Sequence, residues 1–374
     1  MPSVGQIEKK TQTRVLALLS QRLGYTYLGD WIDRLANSNI EPERLKAWLA
    51  TQGVSDTLAV RASFELQKVA NDTSKSLYDR NHAVYRLLRY GVKVRPEAGE
   101  NTVTVWLVKW ADPLANDFAV AEEVTVPGGD LVSGAKASTK AGTKRPDVVL
   151  YVNGIALGVL ELKRSTVSVS EGIRQNLDNQ KKEFIQPFFS TMQWLMAGND
   201  SEGLRYATIE TPEKYWLSWV EETGEFADEP NLLDRQVLQV CAKQRFLQLV
   251  HDFIVFDAGI KKLCRQNQYF GVVAAQEFIR RREGGIIWHT QGSGKSLTMV
   301  WLAKWIRENR PGARVLIITD RTELDEQIEK VFLGVSENIV RTKSGADLIA
   351  TLGEAEESLI CTLVHKFGGK DDDD

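Results

Sequence analysis

Residues 145–165 read RPDVVLYVNGIALGVLELKRS, and their patterning decides the fold of the first half of the chain. Two β-rich apolar runs, from Asp147 and from Ile155, are strands joined at Asn153-Gly154, a pair that readily turns a hairpin. Side chains alternate along a strand, so Glu161 and Lys163 project from one side, which they share with Ile155, Leu157 and Val159. An apolar face that ends in a carboxylate and an amine packs poorly unless both find partners. Asp147 opens the preceding strand, and pairing across the turn would bring it near Glu161. Two hard carboxylates side by side suit Mg²⁺, which prefers oxygen ligands and keeps several waters. Such an ion would polarise a phosphodiester, while Lys163 would orient or activate water and offset developing phosphate charge. The pattern is short, and an ordinary surface hairpin with an ion pair also satisfies it.

A helix is predicted next, from about Glu171 to Gln186. At helical spacing Ile173, Leu177, Gln180 and Phe184 form one stripe, so Gln180 is a polar residue on an apolar face and should point at the sheet. Its expected use is in positioning DNA or the catalytic strand ends. Arg174, Lys181 and Lys182 add positive charge nearby, or are simply a solvated face. A basic, glycine- and serine-rich loop precedes Asp147; its Lys136, Lys140, Lys144 and Arg145 would track phosphates. Alternating runs at 102–110, 118–129, 191–198 and 204–211 are further strands, completing a mixed α/β unit. Residues 1 to about 95 show helical spacing, with Pro42 just inside one start and Gly53 just past an end. Gly91 stops the last helix of that region.

The second half turns on residues 284–306, GGIIWHTQGSGKSLTMVWLAKWI. An apolar strand, a glycine-rich loop and an apolar helix follow in order, and VLIIT supplies a second strand after Pro311-Gly312. That βαβ order implies a parallel sheet. In such a loop glycines let backbone N–H groups approach phosphates at a helix N-terminus. Thr290, Gln291, Gly292, Ser293 and Gly294 would cradle ATP, Lys295 would reach the β and γ phosphates, and the Ser296 hydroxyl would hold Mg²⁺. His289 stands where the strict pattern opens with glycine. Gln268 lies upstream, where helicase-like motors keep a glutamine that reads adenine. Thr319-Asp320-Arg321 ends the second strand like a DNA-contacting element of such motors, or Asp320 merely caps the next helix.

These readings give a helical N-terminal extension (1–55), a nuclease domain (56–225, core about 80–210), a helical bridge (226–264) and a motor domain (265–374). The acidic run 221–230 is the boundary between the halves. A net charge of -3 removes bulk basicity as an argument, so DNA would be met by local patches. Cys241, Cys264 and Cys361 are too far apart in sequence for a CxxC zinc or disulfide pattern and fit a reducing cytosol. No apolar run approaches a membrane span, so a cytoplasmic protein without membrane contact is expected.

Four blocks taken together resemble the restriction (R) subunit of type I restriction enzymes: residues 145–165, EGIRQNLDNQKKEF (171–184), residues 284–306 and LIITDRTELDEQI (316–328). The resemblance implies an α/β chain with a PD-(D/E)xK-type mixed-sheet nuclease domain, then a partial RecA-like domain of a superfamily 2 motor. It implies Asp147, Glu161 and Lys163 as the nuclease centre and Lys295 with Ser296 as the ATP–Mg²⁺ grip. The family's Gln-x-x-x-Tyr element fits Gln180 with Phe184 in place of tyrosine, or falls in another register. Glu65 would be an extra acidic residue from a preceding helix. The resemblance further implies double-stranded DNA, methyltransferase and specificity subunits, and S-adenosylmethionine. Beyond residue 368 the sequence ends in GKDDDD, with no DExH box after Lys295. A chain cut short within the motor is expected, gripping nucleotide weakly and not hydrolysing it alone. Two competing readings are an inert DNA-binding or assembly module with a degenerate nuclease fold, and a phosphate-loop ATPase with an unrelated N-terminal domain.

Overall fold

A computed structural model describes residues 4–97, 99–128, 142–335, 337–354 and 358–368. Lys136, Lys140 and the aspartate tail lie outside the described residues. The chain divides into two compact units, Met1–His251 and Asp252–Asp374.

The first unit opens with α1 (Val4–Ala17), one π turn, and β1 (Thr26–Asp30). Three helices follow: α2 (Pro42–Thr51), α3 (Asp56–Ala70) and α4 (Leu77–Tyr90). Ser55 and Ser76 cap α3 and α4 by accepting from backbone N–H groups, and Gly91, at φ 74°, ends α4. A small hairpin, β2 (Val92–Val94) with β3 (Val103–Val105), precedes β4 (Phe118–Glu122), β5 (Val148–Val152) and β6 (Ile155–Leu162). Then come α5 (Val169–Asn179), β7 (Trp194–Asn199), β8 (Gly203–Ala207), β9 (Leu217–Ser218), α6 (Leu232–Cys241) and α7 (Lys243–Asp252).

Seven strands form one mixed sheet in the order β1-β4-β5-β6-β7-β8-β9, parallel only at β1/β4 and β6/β7. The N-terminal region is therefore not purely helical, because β1 is an edge strand of this sheet. The central strands are buried on both faces, which explains their nearly continuous apolar sequence. Asn153 and Gly154 both take positive φ, 53° and 78°, as the tight turn between β5 and β6 requires. The ladder slips once: Leu150 pairs with Gly158 but Tyr151 pairs with Ala156, leaving Leu157 as a bulge. Ala156, rather than Leu157 or Ile155, therefore joins Val159 in the core beneath α5. Ile173, Val149, Leu195 and Ala197 belong to the same core, where each large apolar side chain contributes about 1.5–3 kcal/mol by burial.

The second unit begins with a hairpin, β10 (Ile254–Asp257) and β11 (Ile260–Leu263), where a helical bridge was expected. Ala258 and Gly259, both at positive φ, make its turn. Next are α8 (Gln266–Arg281), α9 (Lys295–Asn309), β12 (Val315–Thr319), α10 (Thr322–Gly334), β13 (Val340–Arg341), α11 (Gly345–Gly353) and β14 (Leu359–Leu363). A parallel sheet is present as β12-β14-β13, but of the two strands expected to build it only β12 belongs to it. The strand predicted over 284–290 does not form: no described strand pairs with it, and an extended run without a ladder partner is not a strand. Its alternation persists all the same. Ile286 and Trp288 are about nine-tenths exposed, while Ile287 and His289 lean on α8. Arg321, not Asp320, is the N-cap of α10.

Candidate active site

Val148 pairs with Leu160, so the antiparallel ladder sets Asp147 across from Glu161. The Asp147 charge is close enough to act on the Glu161 carboxyl. Asp147 Oδ2 also accepts from Leu162 N at 2.7 Å. Glu161 is fully buried and is gripped from α5: Gln175 Nε2 donates to its Oε2 at 2.6 Å, and Asn179 Nδ2 to its Oε1 at 3.3 Å. These two amides stand one helical turn apart, on the face that descends onto β6 and β7. Gly172, one turn earlier, permits the approach, since a Cβ there would lie 3.2 Å from Ala197 Cβ.

Lys163 leaves the same end of β6. Its Nζ donates to Leu162 O at 3.1 Å and pairs with Glu8 Oε1 at 3.4 Å. Burial above all raises the Asp147 pKa to about 6; Lys163 and Leu162 N oppose the rise, and Glu123 and Glu8 add to it. Burial followed by the neighbouring Asp147 charge pushes Glu161 well above its ordinary value, with Lys163 opposing. Two like charges in a dry pocket are poorly tolerated without a counter-charge. A divalent cation fits that demand, and the buried Asn179 Oδ1 is left without a hydrogen-bond partner beside it.

The sequence reading missed several neighbours. Gln175 and Asn179 escaped because they lie off the apolar stripe. Glu8 escaped because no local pattern links α1 to β6. The same helix sends Lys9 and Gln12 to Glu122, at 2.7 and 2.9 Å, beside Asp147. Glu123 sits at φ 52°, in the left-handed region, and pairs with Arg145 at 2.6 Å.

Gln180 is a correction. Helix α5 stops at Asn179, so Gln180 is its C-cap. Its Nε2 donates to Asn176 O at 2.9 Å and its Oε1 accepts from Glu210 N at 2.6 Å, away from the carboxyl pair. Glu65 is also elsewhere, pairing with Lys68 on α3. Arg174 and Lys181 are spent on Glu213, Glu171 and Asp178, which leaves little net charge on that face.

In the second unit Gly292 and Gly294 take positive φ, 77° and 86°, and α9 begins at Lys295. Lys295 Nζ donates to Thr290 O at 3.1 Å and His289 O at 3.4 Å, and Ser293 Oγ to Thr290 O at 2.7 Å. Gln268 accepts from Arg265 N at 2.7 Å and donates through Nε2 to Gly294 O at 2.9 Å. Gln291 is exposed, and Ser296 stands in the first turn of α9. A glycine-rich loop with an exposed lysine at a helix N-terminus suits a nucleotide's phosphates.

A buried carboxyl pair with a lysine on a mixed sheet, together with a phosphate-type loop beside a parallel sheet, fits a nuclease joined to an ATPase-like unit. Residues 5–214 match the type I restriction enzyme R protein N terminus, more than half the chain, and the chain belongs to that family. Residues 267–374 match the SWI2/SNF2 ATPase family. A putative type I restriction enzyme endonuclease subunit of Methanocaldococcus jannaschii is 25% identical over 87% of this chain and 33% of its own length. The HindI endonuclease subunit of Haemophilus influenzae is 27% identical over 72% of this chain and 26% of its own. A Staphylococcus saprophyticus type I endonuclease subunit is 25% identical over 60% and 24%. The chain thus spans a third or less of these relatives' length. The first match leaves no room for an unrelated N-terminal domain. No helix among the described residues is long and apolar enough to cross a membrane.

Proposed function

We propose that this chain is the nuclease and leading motor portion of a restriction subunit that cuts double-stranded DNA with Mg²⁺, coupled to ATP-driven translocation in a complete complex. In this reading the first unit is the PD-(D/E)xK-type nuclease and the second is part of a RecA-like motor. The partners are methyltransferase and specificity subunits, with S-adenosylmethionine, in the cytoplasm. The observation that carries the reading is the placement of Asp147 across from the buried Glu161 on one hairpin, with Lys163 at the same end of the strand.

Asp147 and Glu161 would hold the ion, which when bound supplies Lewis acidity at the scissile phosphate and a more acidic water. Every other role belongs to the chain itself. Gln175 and Asn179 fix the rotamer of Glu161 by occupying both its oxygens. This favours the other register of the family's glutamine element, Gln175-x-x-x-Asn179, with asparagine in place of tyrosine. Leu162 N fixes Asp147. Lys163, tethered by Glu8, offers positive charge to an incoming phosphate. Lys295 and Ser296 would bind nucleotide phosphates and their Mg²⁺, which requires Lys295 to leave the carbonyls of His289 and Thr290. Gln268 would support the loop from below as well as read the base.

The test is mutagenesis in the complete enzyme. Asp147→Ala or Glu161→Ala should abolish DNA cleavage and spare ATP hydrolysis, whereas Lys295→Ala should abolish both. Cleavage retained by both carboxylate variants refutes the assignment.

A further inference from the structure

Helix α8 touches the phosphate loop at both ends. Gln268 donates to Gly294 O at the far end. Gly271, one turn along the same face, lies under the near end, where a Cβ would come 3.3 Å from His289 Cε1 and Nε2 and 3.4 Å from Ile287 Cγ2. Glycine weakens a helix interior relative to alanine, so its presence in mid-α8 has a cost that the imidazole's fit explains. His289 is half-buried, and its Nδ1 is shut from solvent without a hydrogen-bond partner, so the ring is held by packing alone. The residue also stands where phosphate loops usually open with glycine.

We propose that His289 is a positioning residue that docks the entry arm of the phosphate loop onto α8 at Gly271, holding the 292–295 backbone ready for phosphate. The proposal rests on the reading of this loop as a nucleotide site. Through His289 O and Thr290 O the same arm also holds Lys295, so the angle of the arm sets where the lysine starts. A side chain at position 271 pushes the ring outward by a few tenths of an ångström, and the loop moves with it.

The experiment is a double-mutant cycle read by titration with MgADP: the unaltered chain, Gly271→Ala, His289→Gly and the double variant, with Lys295→Ala as control. Gly271→Ala should weaken MgADP binding about threefold or more without lowering thermal stability, because alanine favours the helix. In the His289→Gly background the same substitution should have no effect on affinity. A merely structural role for Gly271 gives the same change in both backgrounds, and that result overturns the proposal. So does wild-type affinity in Gly271→Ala. If the unaltered chain binds MgADP no better than Lys295→Ala, the nucleotide-site reading fails and takes this proposal with it.

Discussion

Replacing Asp147 by asparagine should make the metal-free chain more stable at neutral pH. Burial, the largest influence, lifts this carboxyl from 3.8 to about 6. A carboxyl whose pKa is higher in the folded state binds more protons there than in the unfolded chain across that interval. Stability is therefore greatest below the unfolded value, falls as pH rises through the interval, and is fully reduced above about 6. The interval is roughly two pH units, which at about 1.4 kcal/mol each amounts to about 3 kcal/mol. Asparagine has no charge to desolvate, and its amide oxygen can still accept from Leu162 N. It also removes the charge that helps to push up Glu161. Urea unfolding in EDTA at neutral pH should show Asp147→Asn more stable than wild type by up to about 3 kcal/mol, with the gap closing in acid. Added Mg²⁺ should stabilise the wild type and leave the variant unmoved. A variant no more stable at neutral pH, or an equal response to Mg²⁺ in both proteins, would refute the reasoning.

Other substitutions separate the site from its surroundings. Gln175→Leu in the complete enzyme should lower DNA cleavage tenfold or more, since a hydrogen bond to a charged group is worth about 1.5–3 kcal/mol, and ATP hydrolysis should persist. Gln180→Leu should leave cleavage near normal and cost about 0.5–1.5 kcal/mol in denaturant unfolding, because the part-buried hydrogen bond from Glu210 N is lost. Arg341→Ala should destabilise the second unit by about 3–5 kcal/mol, because it strips the buried Asp325 of its ion pair. Pairing it with Asp325→Asn should recover part of that loss in the same unfolding assay.

The meeting of Asp147 and Glu161 was legible because both lie one short turn apart on a single hairpin, and Asn153-Gly154 fixes which residues face each other. The parallel order of the second sheet was expected from a strand at 284–290 that does not form; β12 is parallel instead to β14, a strand not singled out from the sequence. What escaped was set by contacts distant in sequence. The apolar stripe of α5 drew attention to Gln180, yet the helix meets the strands along Gly172, Gln175 and Asn179, where close approach outweighs hydrophobicity. Glu8 reaches Lys163 across more than half of the first unit's sequence. The hairpin at 254–263 was hidden by its helical flanks, although its Asp257-Ala258-Gly259 turn is a local signal. The run 284–290 has strand composition, but ladder formation depends on a neighbour that composition does not supply.

Leu157, the residue the ladder skips, makes β6 uneven in its tolerance of length changes. Losing it would leave Ala156 and Gly158 as ordinary ladder neighbours, with Glu161 and Lys163 still turned toward α5. The penalty would be one buried leucine, about 2–5 kcal/mol. Losing Val159 or Leu160 instead would rotate the acid and the amine to the opposite side of the sheet. Between the turn and the acid, this strand has slack at a single point.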